Sequence, residues 1–83
     1  MKNPFVEWRE NKGLSRRKTA LLASMDYAQL AATELGLVNR PHRSLLVLIR
    51  QLDGDDVATA LEEAFRSWKE MEAQIALAQL VGS

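Results

Sequence analysis

The chain has 83 residues, 27% of them charged, with no cysteine and a formal net charge of zero. A chain of this length forms one small domain with a modest hydrophobic core. Without cysteine, a disulfide framework and a thiolate metal site are both excluded, which fits a reducing, cytoplasmic environment. His42 is the single histidine, too few for a histidine-based zinc site. We therefore expect no metal and no other cofactor.

The N-terminal sequence MKNPFVEWREN contains no uninterrupted apolar run, and no segment of the chain is apolar for 18 residues. A signal peptide and a membrane span are therefore not expected. The sequence predicts a cytoplasmic protein that has no membrane partner.

Charge is distributed unevenly along the chain. Residues 1–50 hold nine lysines and arginines against four acidic residues, whereas residues 51–83 hold two against seven. The two halves thus carry formal charges of +5 and −5. This asymmetry predicts that the first half faces an anion and the second does not, although chance segregation of solvated charges gives the same pattern.

Capping signals predict three short helices in the first half. Asn3 before Pro4 opens helix 1, over about residues 4–12, and Ser15 can cap helix 2, over about 16–23. Asp26, with Gln29 three residues later, forms a capping-box pattern that opens helix 3, which Gly36 ends. Their inner faces are expected to hold Phe5, Trp8, Thr19, Ala20, Ala23, Leu30 and Thr33.

Two further helices follow. Pro41 is expected to start helix 4, whose SLLVLIRQL is the most apolar run of the chain. This run predicts the central core helix, with Leu45, Leu46, Leu48, Ile49 and Leu52 in the core. Gly54 is expected to end helix 4. No alternating β-branched run predicts a strand. The fold class is therefore all-α.

The last segment, from Asp56 to Leu80, contains no glycine or proline. Its apolar residues recur at intervals of 4, 3, 4, 3, 4 and 3, a heptad stripe that predicts a long amphipathic helix. We expect residues 54–83 to form a dimerisation element, because a helix of this length extends past a small head. One alternative is that the helix folds back over the core. The expected homodimer interface is Leu61, Ala64, Phe65, Trp68, Met71 and Ile75.

Residues 13–36, GLSRRKTALLASMDYAQLAATELG, resemble the helix-turn-helix of the Cro/cI-type family, also called XRE-like or lambda-repressor-like. That family typically reads G-L-S/T, an alanine five residues after the serine, an apolar residue ten further on, then E-x-G. The matching residues here are Gly13, Leu14, Ser15, Ala20, Leu30, Glu34 and Gly36. The resemblance covers about residues 5–53 and implies a compact four-helix DNA-binding head at residues 1–53.

The resemblance also implies roles for individual residues of this chain. The resemblance implies a structural ion pair between Arg9 and Glu34. It implies that the exposed start of helix 3 lies in the DNA major groove, so that base contacts would come from Tyr27, Ala28, Gln29 and Ala32. Of these, only Gln29 could make a bidentate contact to adenine. Ser24 stands where the turn of the family usually has glycine, and Thr19 and Thr33 replace larger apolar residues.

Basic residues mark the expected phosphate contacts. Arg16, Arg17 and Lys18 open helix 2. The family contacts the DNA backbone at this position, so these three residues and the capping Ser15 are expected to contact phosphate. Arg40 and Arg43 flank the start of the next helix, a second usual backbone contact. A solvated basic face is the simpler interpretation of the same residues.

Two functions remain open. The first is a DNA-binding transcriptional regulator, a dimeric repressor or controller from a phage or mobile element, bound to a pseudo-palindromic double-stranded operator. The second is a protein-interaction module with the same fold, antiactivator-like or antitoxin-like, whose neutral, alanine-rich helix 3 binds DNA weakly or not at all. An enzyme is not expected, because no nucleophile–base pair, phosphate loop or metal cluster is present.

Overall fold

The computed structural model describes residues 2–82, and every regular element in that range is an α-helix. The order is α1 Pro4–Asn11, α2 Arg16–Leu22, α3 Tyr27–Glu34, α4 Arg43–Asp53 and α5 Asp55–Gly82. The all-α class predicted from the sequence is confirmed. Of the described helices, none combines the length and the apolarity that a membrane span needs.

Side-chain caps begin the short helices at the predicted places. The Asn3 side chain accepts from the amide of Phe5 at 2.9 Å, and Ser15 Oγ accepts from the amide of Lys18 at 3.1 Å. The start of α4 differs from the expectation. His42 Nδ1 accepts from the amide of Ser44 at 3.1 Å, so His42 is the cap and the helix begins two residues after Pro41.

The core is built from all five helices. Its buried apolar residues are Phe5, Trp8, Ala20, Ala23, Met25, Leu30, Leu45, Leu46, Leu48, Ile49, Ala58, Phe65 and Trp68. Thr19 and Thr33 are fully buried. Each hydroxyl donates to the backbone carbonyl four residues earlier, so no polar group is left unsatisfied inside the core at these positions. Leu52 was expected in the core, but half of its surface is exposed, because it lies on the solvent side of α4.

The first half of α5 folds over the core. Phe65 packs between Phe5 of α1 and Trp68, with ring centroids 5.3 Å and 5.8 Å apart. Phe65 and Trp68 are 1% and 9% exposed, so their assignment to a dimer interface is wrong. They complete the core of their own chain. The division expected after residue 53 falls at the break around Gly54, but the helices on both sides of it share one core.

The second half of α5 extends away from this core. Every described residue from position 70 to position 82 is exposed. A helix of 28 residues is about 42 Å long, close to the longest dimension of the molecule, 44 Å. Met71 and Ile75, the distal part of the expected interface, lie in this exposed half, whereas Leu61 is partly buried against the core.

Gly36 fixes how α3 and α5 approach each other. Its φ is +76°, and a Cβ added there would lie 2.7 Å from the Trp68 ring. Lys69 of α5 also donates to the Gly36 carbonyl. A glycine is required at this position both for the backbone conformation and for the space that Trp68 occupies.

Gly36→Ala should destabilise the protein by about 2 kcal/mol or more, since left-handed strain and a clash with Trp68 add together. Gly13→Ala is the matched control, because Gly13 has a φ of +71° and open space around it. It should lower the free energy of unfolding by only about 1 kcal/mol. Urea unfolding of both variants measures the difference, and equal losses would contradict the contact.

Asp53 joins α1 to the end of α4. Trp8 Nε1 donates to its carboxylate at 2.7 Å, and Lys12 forms an ion pair with the other oxygen. These two partners, Lys12 foremost, lower the pKa of Asp53 below its ordinary value of 3.8. Because the pKa is lower in the folded state, ionised Asp53 stabilises the fold above the unfolded-state pKa, and this contribution is lost as the pH falls through the folded-state value.

Asp53→Asn should therefore destabilise the protein near pH 6, and the deficit relative to the native chain should vanish near about pH 2. Chemical unfolding at the two pH values measures it. Glu63→Gln serves as the control, since Glu63 is exposed and makes no ion pair among residues 2–82. A deficit of the same size at both pH values would contradict the assignment.

Candidate nucleic-acid interface

A buried carboxylate at the end of α3 holds two arginines. Arg9 of α1 donates to both oxygens of Glu34, at 2.7 Å and 3.1 Å, and Arg16 of α2 donates from Nε at 2.7 Å. The Glu34 side chain is 1% exposed, against 11% for Arg9 and 40% for Arg16. The pair between Arg9 and Glu34 that the family resemblance implied is present, and Arg16 is an additional partner. A buried carboxylate needs such partners because burial of an unpaired charge is expensive.

Backbone contacts reinforce this arrangement. Arg9 Nη1 donates to the carbonyl of Leu14 at 2.8 Å, which fixes the turn between α1 and α2. Asn3 Nδ2 donates to the carbonyls of Thr33 and Glu34, both at 3.0 Å, and so satisfies the C-terminal end of α3. The orientation of α3 relative to α1 and α2 is thus set by hydrogen bonds as well as by packing.

Arg16 lies between Glu34 and Tyr27. Glu34, and after it Tyr27, raises the pKa of Arg16 above its ordinary value. Its Nε is occupied by Glu34, so the side chain expected to contact phosphate is also a structural link between α2 and α3. An open cleft of about 670 Å³ brings together the starts of these helices, lined by Ser15, Arg16, Arg17, Ala20, Leu21, Met25 and Tyr27.

Four other basic residues keep their charges available. Arg17, Lys18, Arg40 and Arg43 are exposed, and none of them makes an ion pair or a side-chain hydrogen bond within the described part of the chain. Arg17 and Lys18 stand on the first turn of α2. Arg40 precedes α4, and Arg43 is its first residue. An anion could therefore be bound without first breaking an internal contact.

The exposed start of α3 offers few polar groups. Tyr27, Ala28 and Gln29 are exposed, and Ala32 is half-buried. Gln29 Oε1 accepts from the amide of Asp26 at 3.0 Å, completing the expected capping box. A bidentate contact to adenine requires this oxygen together with Nε2. The helix cap occupies one of the two acceptor positions of this oxygen, so a bidentate contact to adenine would have to share Oε1 with the Asp26 amide.

Two neighbouring clefts show which predicted residues are brought together. The first, of about 390 Å³, joins α3 to the following loop and is lined by Ala28, Gln29, Ala32, Thr33, Val38, Arg40 and His42. Arg43 lines a different cleft, with the end of α2. Arg40 thus lies beside the exposed face of α3, whereas Arg43 lies beside Leu22 and Ser24.

Ser24 has a φ of +55° in the turn between α2 and α3. Glycine adopts this left-handed conformation most readily, and the Cro/cI-type family usually has glycine at this position. The local turn conformation here is thus one that glycine favours, although the residue is serine. The Ser24 amide donates to the carbonyl of Leu21 at 3.2 Å, and that of Met25 to Ala20 at 3.0 Å.

The sequence did not indicate several residues of this surface. Leu21 is 77% exposed on α2 beside Tyr27, although it is a large apolar residue. Asn3 was identified only as the cap of α1, and its second contact with α3 had no sequence signal because the partners are 30 and 31 residues away. Exposed apolar side chains next to a basic surface are the feature that only the structure reveals.

No group of three or more histidine, cysteine or acidic side chains within residues 2–82 could hold a metal ion. Comparison of the chain with family models, with curated proteins and with solved structures gave no match.

Arg9→Ala should lower the free energy of unfolding by about 3 kcal/mol, because it leaves Glu34 buried with a single, more exposed partner. Arg16→Ala should lower it by about 1 kcal/mol or less, since the Arg16 side chain is partly solvated. Arg17→Ala, next in sequence and unpaired, should stay within about 0.5 kcal/mol of the native protein. Urea unfolding measures all three, and equal losses for Arg9 and Arg17 would contradict the role of Glu34.

Proposed function

We propose that this protein is a small DNA-binding transcriptional regulator with a lambda-repressor-like helix-turn-helix head, in which α3 lies in the major groove. The supporting observation is that exposed, unpaired cations stand on both sides of the exposed start of α3. Arg17 and Lys18 lie on the α2 side, and Arg40 lies on the side of the following loop. Phosphate groups line both edges of a groove, so cations on both sides of a helix in that groove could contact them.

In this proposal, binding depends mainly on the DNA backbone. Arg16 acts as a positioning residue because Glu34 holds its Nε and Tyr27 lies beside it. Base edges would meet the Gln29 amino group, the Tyr27 ring and hydroxyl, and the methyl groups of Ala28 and Ala32. Such a surface discriminates weakly by direct contact, so sequence preference would come largely from the shape and flexibility of the DNA.

A protein partner is the second candidate, and a specific observation favours it. The clefts on both sides of the start of α3 are lined by apolar side chains, including Leu21, Met25 and Val38. Protein partners bind such clefts through apolar anchors, whereas DNA offers only thymine methyl groups. An antiactivator-like or antitoxin-like module would use this surface without contacting phosphate.

Fluorescence polarisation with a random-sequence DNA duplex, measured over a series of salt concentrations, tests the DNA proposal. The logarithm of the affinity should fall steeply with the logarithm of the salt concentration, by about 0.9 for each phosphate contact. The double variant Arg17→Ala/Lys18→Ala should weaken binding to all duplexes about equally and reduce this slope by about 1 to 2. Arg50→Ala, which removes a charge at the far end of α4, is the control and should change binding little.

Gln29→Glu separates base contact from helix capping. Glutamate keeps an oxygen to accept from the Asp26 amide, so stability should be retained, while the amino donor is lost and a negative charge faces the DNA. Sequence preference, read from selection on a randomised duplex pool, should change. Absence of salt-dependent binding by the native protein to any duplex in the pool would contradict the DNA proposal and favour the protein-interaction module.

A further inference from the structure

The exposed end of α5 is mostly apolar, and the polar side chains among residues 73–81 are Gln74 and Gln79. No charged residue follows Glu72, and the large apolar residues that remain exposed are Met71, Ile75, Leu77, Leu80 and Val81. Contiguous apolar side chains that remain exposed on a helix typically mark a contact surface. The head of the same chain covers α5 only as far as about Trp68 and Lys69, and the apolar side chains beyond them are exposed.

One face of this segment continues into a cleft. Ala73, Ala76, Leu77 and Leu80 follow one another at intervals of three, one and three residues, which places them on the same side of the helix. One turn earlier, that side carries Lys69 and Glu72. These two residues, with Leu35, Gly36, Asn39, Trp68, Glu70 and Ala73, line an open cleft of about 560 Å³ between α5 and the end of α3.

We propose that a second copy of the chain covers this face, with its α5 antiparallel and related by a two-fold axis between Ala76 and Leu77. In this register Leu80 of one copy lies opposite Ala73 of the other, and Leu77 lies opposite Ala76. Each large side chain thus meets a small one, and the contact is repeated by the symmetry. The end of each α5 then approaches the cleft of the other copy, where Leu35 is exposed.

Charge favours the antiparallel arrangement. Glu70 and Glu72 are the acidic residues nearest to the apolar face. A parallel pair would place them beside their own copies, with leucine against leucine and alanine against alanine. The antiparallel pair separates the two copies of Glu72 by about 14 Å along the axis, and those of Glu70 by about 20 Å. Residues 73–82 carry no charge and therefore offer no ionic contact to a charged partner. Their large and small side chains do complement those of a second copy in the antiparallel register.

The spacing of the two heads in this dimer agrees with the proposed DNA binding. Only this comparison rests on the proposed function. The part of α5 that covers the core, around residue 63, would lie about 40 Å from its counterpart. Half-sites on successive turns of DNA are ~34–36 Å apart. Two heads joined in this way would be spaced on the scale of one helical turn.

Sedimentation equilibrium of the full chain over a concentration series tests the interface, using Ala76→Glu and Ala78→Glu. The two variants carry the same substitution two residues apart, and these positions point about 200° apart around the helix. Ala76→Glu should raise the dimer dissociation constant by about tenfold or more, while Ala78→Glu should leave it within about threefold. Circular dichroism checks that both variants remain helical.

Disulfide cross-linking gives an independent measurement, since the chain has no cysteine. Ala76→Cys lies next to the two-fold axis and should form a disulfide-linked dimer on oxidation. Ala73→Cys should not, because the two copies would be about 10 Å apart along the axis alone, beyond the reach of a disulfide.

A monomeric native chain at all concentrations, stronger dissociation by Ala78→Glu than by Ala76→Glu, or equal dissociation by both would overturn the proposed interface. Equal cross-linking at positions 73 and 76 would overturn the antiparallel register. These outcomes do not depend on DNA binding. A protein that forms this dimer but does not bind DNA would contradict only the proposed function.

Discussion

The Glu34 carboxylate is the constraint on which the arrangement of the first three helices depends. It is buried at the end of α3 and receives a guanidinium from α1 and another from α2. A buried charge is tolerated only while its partners are in place. Moving any of these helices would either expose the Glu34 carboxylate to solvent or leave it buried without an arginine partner. Asn3, which binds the carbonyl of the same residue, adds a neutral link that does not depend on charge.

This constraint also shapes the surface that we propose as the DNA interface. Arg16 and Gln29 are the two residues that would otherwise offer the most to DNA, and both contribute to structure: one joins α2 to α3, and the other caps α3. What remains is a small apolar helix face bordered by cations. In the proposed function, a surface of this composition would bind an extended anion by charge and would distinguish its sequence only slightly, whereas its clefts would suit an apolar side chain of a protein.

α5 has two different environments along its length. Ala58, Phe65 and Trp68 close the core, and the aromatic contacts from Phe5 to Trp68 bind the helix to the head. Beyond Lys69 the same helix continues with its residues from position 70 to position 82 exposed. Because the first half is packed on the head, it sets the direction of the exposed second half, which suits the proposed interface on a single helix face.

The sequence by itself determined the all-α class, the four short helices to within two residues and the caps at Asn3, Ser15 and Gln29, because those signals involve residues at most three apart. The pair of Arg9 and Glu34 came from the family resemblance. The second partner of Glu34, the bond from Trp8 to Asp53 and the contact of Phe5 with Phe65 join residues 18, 45 and 60 positions apart, and only tertiary packing decided them. The heptad stripe of α5 correctly predicted a helix, but it could not separate the residues that cover the core of their own chain from those left exposed. Both roles require the same apolar spacing, and the difference lies only in how far the head extends along the helix.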